Sequence, residues 1–425
     1  MIATMHDTPL IASATLMICS TVFSDTINVP ADHATIQQAI AAAENGDEIL
    51  VAAGTYAEHV NFLGKTIELK SIDGPEATII DGLSQAPTLV TVTGGEGTGT
   101  LLAGFTIING RANDFDIGGG IHVGSDSSLA IENCVVRDCF SPHGGGINVQ
   151  GSYLPGRTFS MRDCLFIDCS SVHSAGLAWI NGSQFGETRV ERCRFISGSS
   201  HNGAVCVGGP VQNGLVSTDV LFADCEFEQN SGSPYGALTI CRITNLQVER
   251  CLFRDNNCGG GGDAISVNCF NDGGHVVVRN SVFMENGEPT CGHNYAGANS
   301  SARIENSVFC SNDGTNLSDG WETENIRELK GCPVETDCDG DGQVDWIQCA
   351  FNPEIDLDGN LVPDWCDSCI GDVNGDGTVD AADLGALLAL WGTNGNSSPR
   401  ADANQDGIVD AADLGLLLGY WGDCP

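Results

Sequence analysis

A short phrase returns eight times between residues 105 and 309, and this recurrence constrains the chain more than any other feature. It reads Phe105-Thr-Ile107, Cys134-Val-Val136, Cys164-Leu-Phe166, Cys193-Arg-Phe195, Cys225-Glu-Phe227, Cys251-Leu-Phe253, Ser281-Val-Phe283 and Ser307-Val-Phe309. Successive copies lie 29, 30, 29, 32, 26, 30 and 26 residues apart, and a near-constant period in this range signals a solenoid. Within each copy the residues two apart are mostly apolar, the alternation of a strand with one buried face. A second phrase, small or Gly-rich and then apolar, interleaves with the first: Gly118-Gly-Gly-Ile121, Gly144-Gly-Gly-Ile147, Ser174-Ala-Gly-Leu177, Asn202-Gly-Ala-Val205, Tyr235-Gly-Ala-Leu238 and Gly262-Asp-Ala-Ile265. Several short strands per turn, bent at glycines and stacked in register, describe a mainly β chain wound as a parallel β-helix.

Stacking explains the residue types. Neighbouring rungs of such a coil sit roughly 4.8 Å apart, so equivalent side chains form columns. The Phe166 to Phe309 column is expected to fill the interior by aromatic stacking, with Cys134 to Cys251 beside it as small, buried free thiols. Five residues after each Cys or Ser of the phrase stand Cys139, Cys169, Gly198, Asn230, Asn256, Asn286 and Asn312. The asparagines predict a hydrogen-bonded ladder at a corner that accepts left-handed backbone. Cys139 and Cys169, on adjacent rungs, are expected to form a disulfide. Upstream, Thr35-Ile-Gln-Gln38 reads as a capping box before the apolar stripe Ile36, Ala39, Ile40 and Ala43, a short helix that would plug the open end of the coil.

Charge narrows the function. The 425 residues carry 56 acidic against 17 basic side chains, a formal net charge of -39. Such an excess repels nucleic acid and anionic lipid and favours a basic polymer or a divalent cation as counter-charge. Leu10 to Phe23 is mostly apolar, and residues 1–24 read as a signal peptide, although no Lys or Arg precedes the run. No apolar run reaches transmembrane length. Twenty cysteines also point to export.

The stretch Thr35-Ile-Gln-Gln-Ala-Ile, Gly46-Asp-Glu-Ile, Gly54-Thr-Tyr-Ala-Glu58 and Ile79-Ile-Asp-Gly82 resembles the opening of right-handed parallel β-helix proteins of the pectin-lyase-like superfamily. The resemblance implies that fold over residues 25–331. It implies extracellular polysaccharide as the ligand class, bound or processed, with a polysaccharide lyase or glycoside hydrolase as the enzymatic forms. A Gly-His-Gly or Arg-x-Lys string of the hydrolases and the Arg-Pro-Trp of the esterases are absent. The alternative is a non-catalytic surface or adhesion protein. His143, His173 and His201 each stand four residues before Ile147, Leu177 and Val205, and Asp116 precedes the equivalent place one rung earlier. Such a column either holds a transition metal, supplies a His–Asp acid–base pair, or fills a surface turn with an inherited polar residue.

The acidic end is organised differently. Residues 332–425 hold 19 acidic side chains and one base, Arg400. Asp372, Asn374, Asp376, Thr378, Asp380 and Asp383 stand at positions 1, 3, 5, 7, 9 and 12 of a loop with Gly377 at position 6. Asp402, Asn404, Asp406, Ile408, Asp410 and Asp413 repeat it with Gly407. This is EF-hand loop spacing, in which position 7 gives only its carbonyl, and an oxygen-only donor set selects Ca²⁺. One helix follows each loop: Leu384, Leu387, Leu388, Trp391 and Leu414, Leu417, Leu418, Trp421, stopped by Gly392 and Gly422. The duplicated loop-plus-helix over 370–425 resembles a type I dockerin, which implies attachment to a cohesin-like protein or, in its place, a cell-surface anchor. Ala381-Ala382 and Ala411-Ala412 occupy the family's recognition positions. Cys369 and Cys424 bracket the module and are expected to pair. Between coil and module, residues 332–369 contain Asp337, Asp339, Asp341 and Asp345, then Asp356, Asp358, Asn360, Asp364 and Asp367. They resemble thrombospondin type-3 calcium repeats, which implies a stalk with little apolar core, held by calcium and by Cys338, Cys349 and Cys366.

Overall fold

Strand register turns the sequence period into a coil. The computed structural model describes residues 24–425 except 85–86, 114–117, 153, 155, 174, 183–187, 202, 209–217, 233, 242–243, 260, 268–274, 294–300, 334–335, 338–342, 357–360, 364–370, 375–377, 395–399, 405–406 and 424–425. Three long parallel sheets run along the coil: sheet A of 12 strands, sheet B of 11 and sheet C of 9. In each, a strand pairs with its equivalent one rung away, as in Leu129–Glu132 on Phe159–Arg162 in sheet A and Val135–Arg137 on Leu165–Ile167 in sheet B. A short four-stranded ribbon bridges the turn from B to C. The architecture is a right-handed parallel β-helix.

The interior is built from the predicted columns. Phe195 and Phe227 stack at 5.1 Å, Phe227 and Phe253 at 4.7 Å, Phe253 and Phe283 at 4.9 Å, and Phe283 and Phe309 at 4.6 Å. Cys134, Cys164, Cys193, Cys225 and Cys251 are buried free thiols beside them. Burial pushes the Cys134 thiol up to about 12, so it stays neutral. The Asn ladder forms as well. Asn230 Nδ2 donates to Asn256 Oδ1 (3.0 Å), Asn256 Nδ2 to Asn286 Oδ1 (2.9 Å) and Asn286 Nδ2 to Asn312 Oδ1 (3.1 Å).

Two details differ from expectation. The left-handed corner is not at the ladder asparagine but one residue earlier, at Gln229 (φ 53°), Asp255 (φ 50°), Glu285 (φ 57°) and Ser311 (φ 50°). The preceding residue makes the turn, which leaves the asparagine amide free to lie along the stack. Cys139 and Cys169 are free, not bonded. The two thiols hydrogen-bond to each other and to backbone: Cys139 Sγ lies 3.3 Å from the Arg137 carbonyl and accepts the Gly110 N–H at 3.4 Å, and Cys169 Sγ lies 3.4 Å from the Ile167 carbonyl. The Gly-rich phrase has a steric origin, since a Cβ on Gly119 would sit 2.5 Å from both the Gly145 and Phe140 carbonyl oxygens.

The N-terminal plug is helix α1 (Ile36–Ala42), with Ile36, Ala39 and Ile40 buried. Thr35 Oγ1 accepts from Gln38 N–H at 3.1 Å. Glu58 receives the Ile36 and Gln37 N–H groups (3.0 and 2.9 Å), and Lys65 Nζ donates to the carbonyls of Ile40, Ala41 and Ala43 (2.8, 2.8 and 2.7 Å). A carboxylate at the helix start and an ammonium at its end complement the macrodipole and satisfy the orphan backbone groups. At the far end the last rung is Trp321–Glu324 and Arg327–Leu329. Glu322, Glu324 and Glu328 are exposed there, and a Cys310–Cys332 disulfide follows.

The described part of the 332–369 segment departs from a stalk with little apolar core. Helix α2 (Asp345–Phe351) buries Trp346, Ile347, Cys349 and Ala350 in one cluster with Val282, Met284, Val308 and Cys310 of sheet B. An apolar stripe among the acids docks this segment on the coil. The acid spacing gave no sign of it. Beyond lie helices α3 (Ala381–Ala389) and α4 (Ala411–Gly419) around a small core of Val379, Leu387, Ala401, Val409 and Leu417.

Candidate functional sites

Sheet C presents its outer face through the residue between two inward apolar ones. Ile121 and Val123, Ile147 and Val149, and Ala178 and Ile180 point into the core, so His122, Asn148 and Trp179 point out. Register lines up Asn61, Thr91, His122, Asn148 and Trp179 in a single column. At its N-terminal end a cleft of about 610 Å³ opens, lined by His59, Asn61, Thr91, His122, Asp126 and Gln150 among others. His59 Nδ1 lies 3.1 Å from the Thr88 carbonyl, which orients that ring. Further along the face, His143 stands 5.6 Å from Trp179 in an edge-on contact and 5.8 Å from His173. Asn148 Nδ2 reaches the His143 carbonyl at 3.5 Å, while the buried Asn148 Oδ1 has no hydrogen-bond partner among the described residues.

The histidine column is thus partly assembled. His143 and His173 adjoin each other; His201 is exposed, and among the described residues no ring contact joins it to them. Asp116 lies outside the described residues. Among those described, no group of three or more His, Cys, Asp or Glu side chains is placed to hold a metal. His59, His122, Asp126 and Gln150 were not singled out from the sequence. The available signal was His122, a polar residue flanked by the apolar Ile121 and Val123 of a repeat strand. The arginines lie elsewhere and are engaged. Arg162 pairs with Glu132 (2.7 Å), Arg192 with Asp163 (2.7 Å) and Arg250 with Asp224 (2.7 Å). The Arg192 guanidinium holds the Asp163 carboxyl below the usual carboxylate range.

The paired acidic loops sit on a duplicated scaffold. The strand Thr378–Val379 pairs antiparallel with Gly422–Asp423, beyond α4, and Ile408 bridges Asn394, beyond α3. Each loop therefore crosses to the other repeat. Asp380 and Asp410 cap α3 and α4, accepting from Ala382 and Ala412 N–H at 2.7 and 2.8 Å. The last loop acids reach back: Asp383 accepts from Asn374 and Asp380 N–H (3.0 and 2.8 Å), and Asp413 from Asn404 and Asp410 N–H (3.1 and 2.7 Å). Asp372 and Asp383 in the first loop, and Asp402 and Asp413 in the second, are buried. Two buried carboxylates per loop, with Arg400 as the sole base of the segment, fit a hard divalent cation and are costly without one. Thr378 and Ile408 are placed at the loop-to-strand junctions; Asp376 and Asp406 lie outside the described residues. Leu387 and Leu417 are buried, whereas Leu388, Trp391, Leu418 and Trp421 are exposed. The helices thus divide their apolar residues between a core and an open face.

In the intervening segment, Asp345 is buried at the start of α2, and Asp356 is buried and accepts the Leu361 N–H at 3.0 Å. Asp337 is exposed. Asp339, Asp341, Asp358, Asn360, Asp364, Asp367, Cys338, Cys366, Cys369 and Cys424 lie outside the described residues.

Comparison with known proteins divides the chain in the same way. Residues 370–420 match the type I dockerin domain. No curated protein matches the chain. Among solved structures, the coil is similar to a pectin methylesterase from carrot (14% identity, 74% of this chain and 90% of that one, TM-score 0.37). It is also similar to a polygalacturonase from Erwinia carotovora ssp. carotovora (13% identity, 76% and 96%, TM-score 0.39). A third likeness is to the pectate lyase Pel9A (13% identity, 73% and 77%, TM-score 0.38). At these identities the likeness is one of fold. The C-terminal module is a type I dockerin domain, a type that binds calcium and docks on a cohesin.

Proposed function

We propose that this chain is a secreted β-helix protein that contacts extracellular polysaccharide through the outer face of sheet C and is held in place by its dockerin. The observation that carries the reading is the union, in one chain, of an open polar cleft on a stacked sheet with a type I dockerin domain. Calcium is held in the first loop by Asp372, Asn374, Asp376, Asp380, Asp383 and the Thr378 carbonyl. In the second it is held by Asp402, Asn404, Asp406, Asp410, Asp413 and the Ile408 carbonyl. Asp337, Asp345, Asp356 and their neighbours in 332–369 form a further calcium-binding segment. The Cys310–Cys332 disulfide and the leader-like Leu10 to Phe23 run support export.

Whether the coil hydrolyses its ligand turns on carboxylates. Glycoside hydrolysis needs an acid and a base flanking the scissile bond, and Asp126 is the one carboxylate among the described residues lining the cleft. That weighs against hydrolysis at this cleft and for the second reading, a binding or adhesion protein; a lyase needs a proton-abstracting base and no carboxylate pair, and its unsaturated products would reveal it. The test uses the full chain against immobilised type I cohesin and insoluble polysaccharides, with calcium or with chelator. Capture by cohesin only in calcium, with polysaccharide retention in both conditions, supports the reading. Retention on neither surface overturns it. New reducing ends or unsaturated products would replace the binding form with an enzyme.

A further inference from the structure

The cleft on sheet C has a charge character that selects among polysaccharides. Its polar lining is amide, hydroxyl and imidazole: Asn61, Thr91, Gln150, His59 and His122, with Asp126 as the one carboxylate among the described residues lining it. Among the described residues lining it there is no lysine or arginine. The lysines and the arginines of the nearest rungs lie outside its described lining. Lys65 caps α1, Lys70 pairs with Glu48 at 3.0 Å and also with Glu68, and Lys330 follows the last rung. On the rungs nearest the cleft, Arg157 gives its guanidinium to the Glu96 carbonyl at 2.9 Å, and the Arg111 guanidinium lies 5.5 Å from the centre of the Phe140 ring.

A uronate residue brings a carboxylate that must be paired or left in water. Here it would meet Asp126 inside the field of a chain of net charge -39. A neutral sugar brings only hydroxyls and ring C–H faces. Those match the amide and hydroxyl groups of the cleft and the half-buried Trp179, two strands further along the same column. We infer that the cleft lined by Asn61, Thr91, His122, Asp126 and Gln150 binds a segment of uncharged polysaccharide and discriminates against uronate chains. This rests on the reading of sheet C as a polysaccharide-contacting face and names the class of chain that it takes.

The test is calorimetric titration of the full chain in calcium with neutral hexasaccharides (xylo-, cello- and manno-series) and with a galacturonate hexamer. The expected result is that at least one neutral hexasaccharide binds about tenfold or more tighter than the galacturonate. Its affinity should be the same at low and high salt. Gln150→Ala and Asn61→Ala should each weaken it several-fold, read at a temperature at which each variant is shown to be folded, because Asn61 Oδ1 also accepts the Leu63 N–H at 2.8 Å. Tighter binding of the galacturonate overturns the inference and leaves the polysaccharide reading standing. So does neutral binding that both variants leave untouched, which would place the ligand elsewhere on the coil. If no saccharide of either class binds, the inference and the polysaccharide reading fall together.

Discussion

The coil and the dockerin solve one problem, organising an acidic chain, by opposite means. In the coil most charge lies outside, some of it paired, as Arg192 with Asp163 and Arg250 with Asp224, and the few buried carboxylates, Asp47, Glu96 and Asp263, accept backbone N–H groups, while Phe, Ile and Val columns fill the interior. In the dockerin, acids are taken inside: Asp383 and Asp413 are fully buried beside a core of five fully buried residues. So small a core cannot offset the backbone entropy of ordering the segment. The coil therefore depends on packing, and the dockerin, on the proposed reading of its loops, on an ion.

Removing that ion gives the largest expected separation of the two. With chelator, the full chain is expected to become protease-sensitive between residues 370 and 425 while 25–331 stays resistant. Peptide mapping of the digest checks this, and equal resistance with and without calcium breaks the comparison. Asp383→Ala should sharpen it by abolishing calcium protection of the first loop.

Within the coil, Phe227→Ala opens a void between Phe195 and Phe253 and should cost about 3–5 kcal/mol in denaturant unfolding, with the calcium titration unchanged. Asn256→Ala leaves the Asn230 amide and the Phe227 carbonyl without their partner, an expected loss of about 1–3 kcal/mol on the same measurement. Lys65→Met strips one donor from three carbonyls at the end of α1 and should cost about 1–2 kcal/mol, read as earlier exchange of the α1 amides.

The smallest effect concerns pH. Asp163 is held below the ordinary carboxylate range by Arg192, so its pairing stabilises the fold above that range and is lost as pH falls through the lowered value. Because both side chains are about half exposed, the contribution is small. Arg192→Gln should flatten the acid limb of the stability profile only slightly, and still less in high salt.

Repetition decided what could be read from sequence. The Phe column, the Asn ladder and the strand order all follow from positions that recur every turn, because equivalent residues must stack. The duplicated acidic loops and their helices were legible for the same reason, since the second copy repeats the spacing of the first. What did not recur was harder to see. The apolar stripe of α2 occurs once, hidden among acids, and its docking on Val282 and Val308 depends on a surface assembled from separate rungs. The cleft gathers His59, His122 and Gln150 from turns about 30 residues apart, and no local spacing ties them together. Cys139 and Cys169 show the limit of adjacency: neighbours on successive rungs, their thiols hydrogen-bond to each other and to carbonyls without joining in a disulfide.

The last rung carries a consequence for how these molecules live together at high concentration. A stack of parallel strands is a template for one more layer, and a second coil could in principle continue the first into a fibre. Glu322 and Glu328 put exposed carboxylates on that terminal edge, with Glu324 paired to Arg303 of the rung before, and α1 seals the opposite mouth. Growth by addition is thereby disfavoured at both ends. The coil can be displayed densely, many copies side by side, without zipping into filaments.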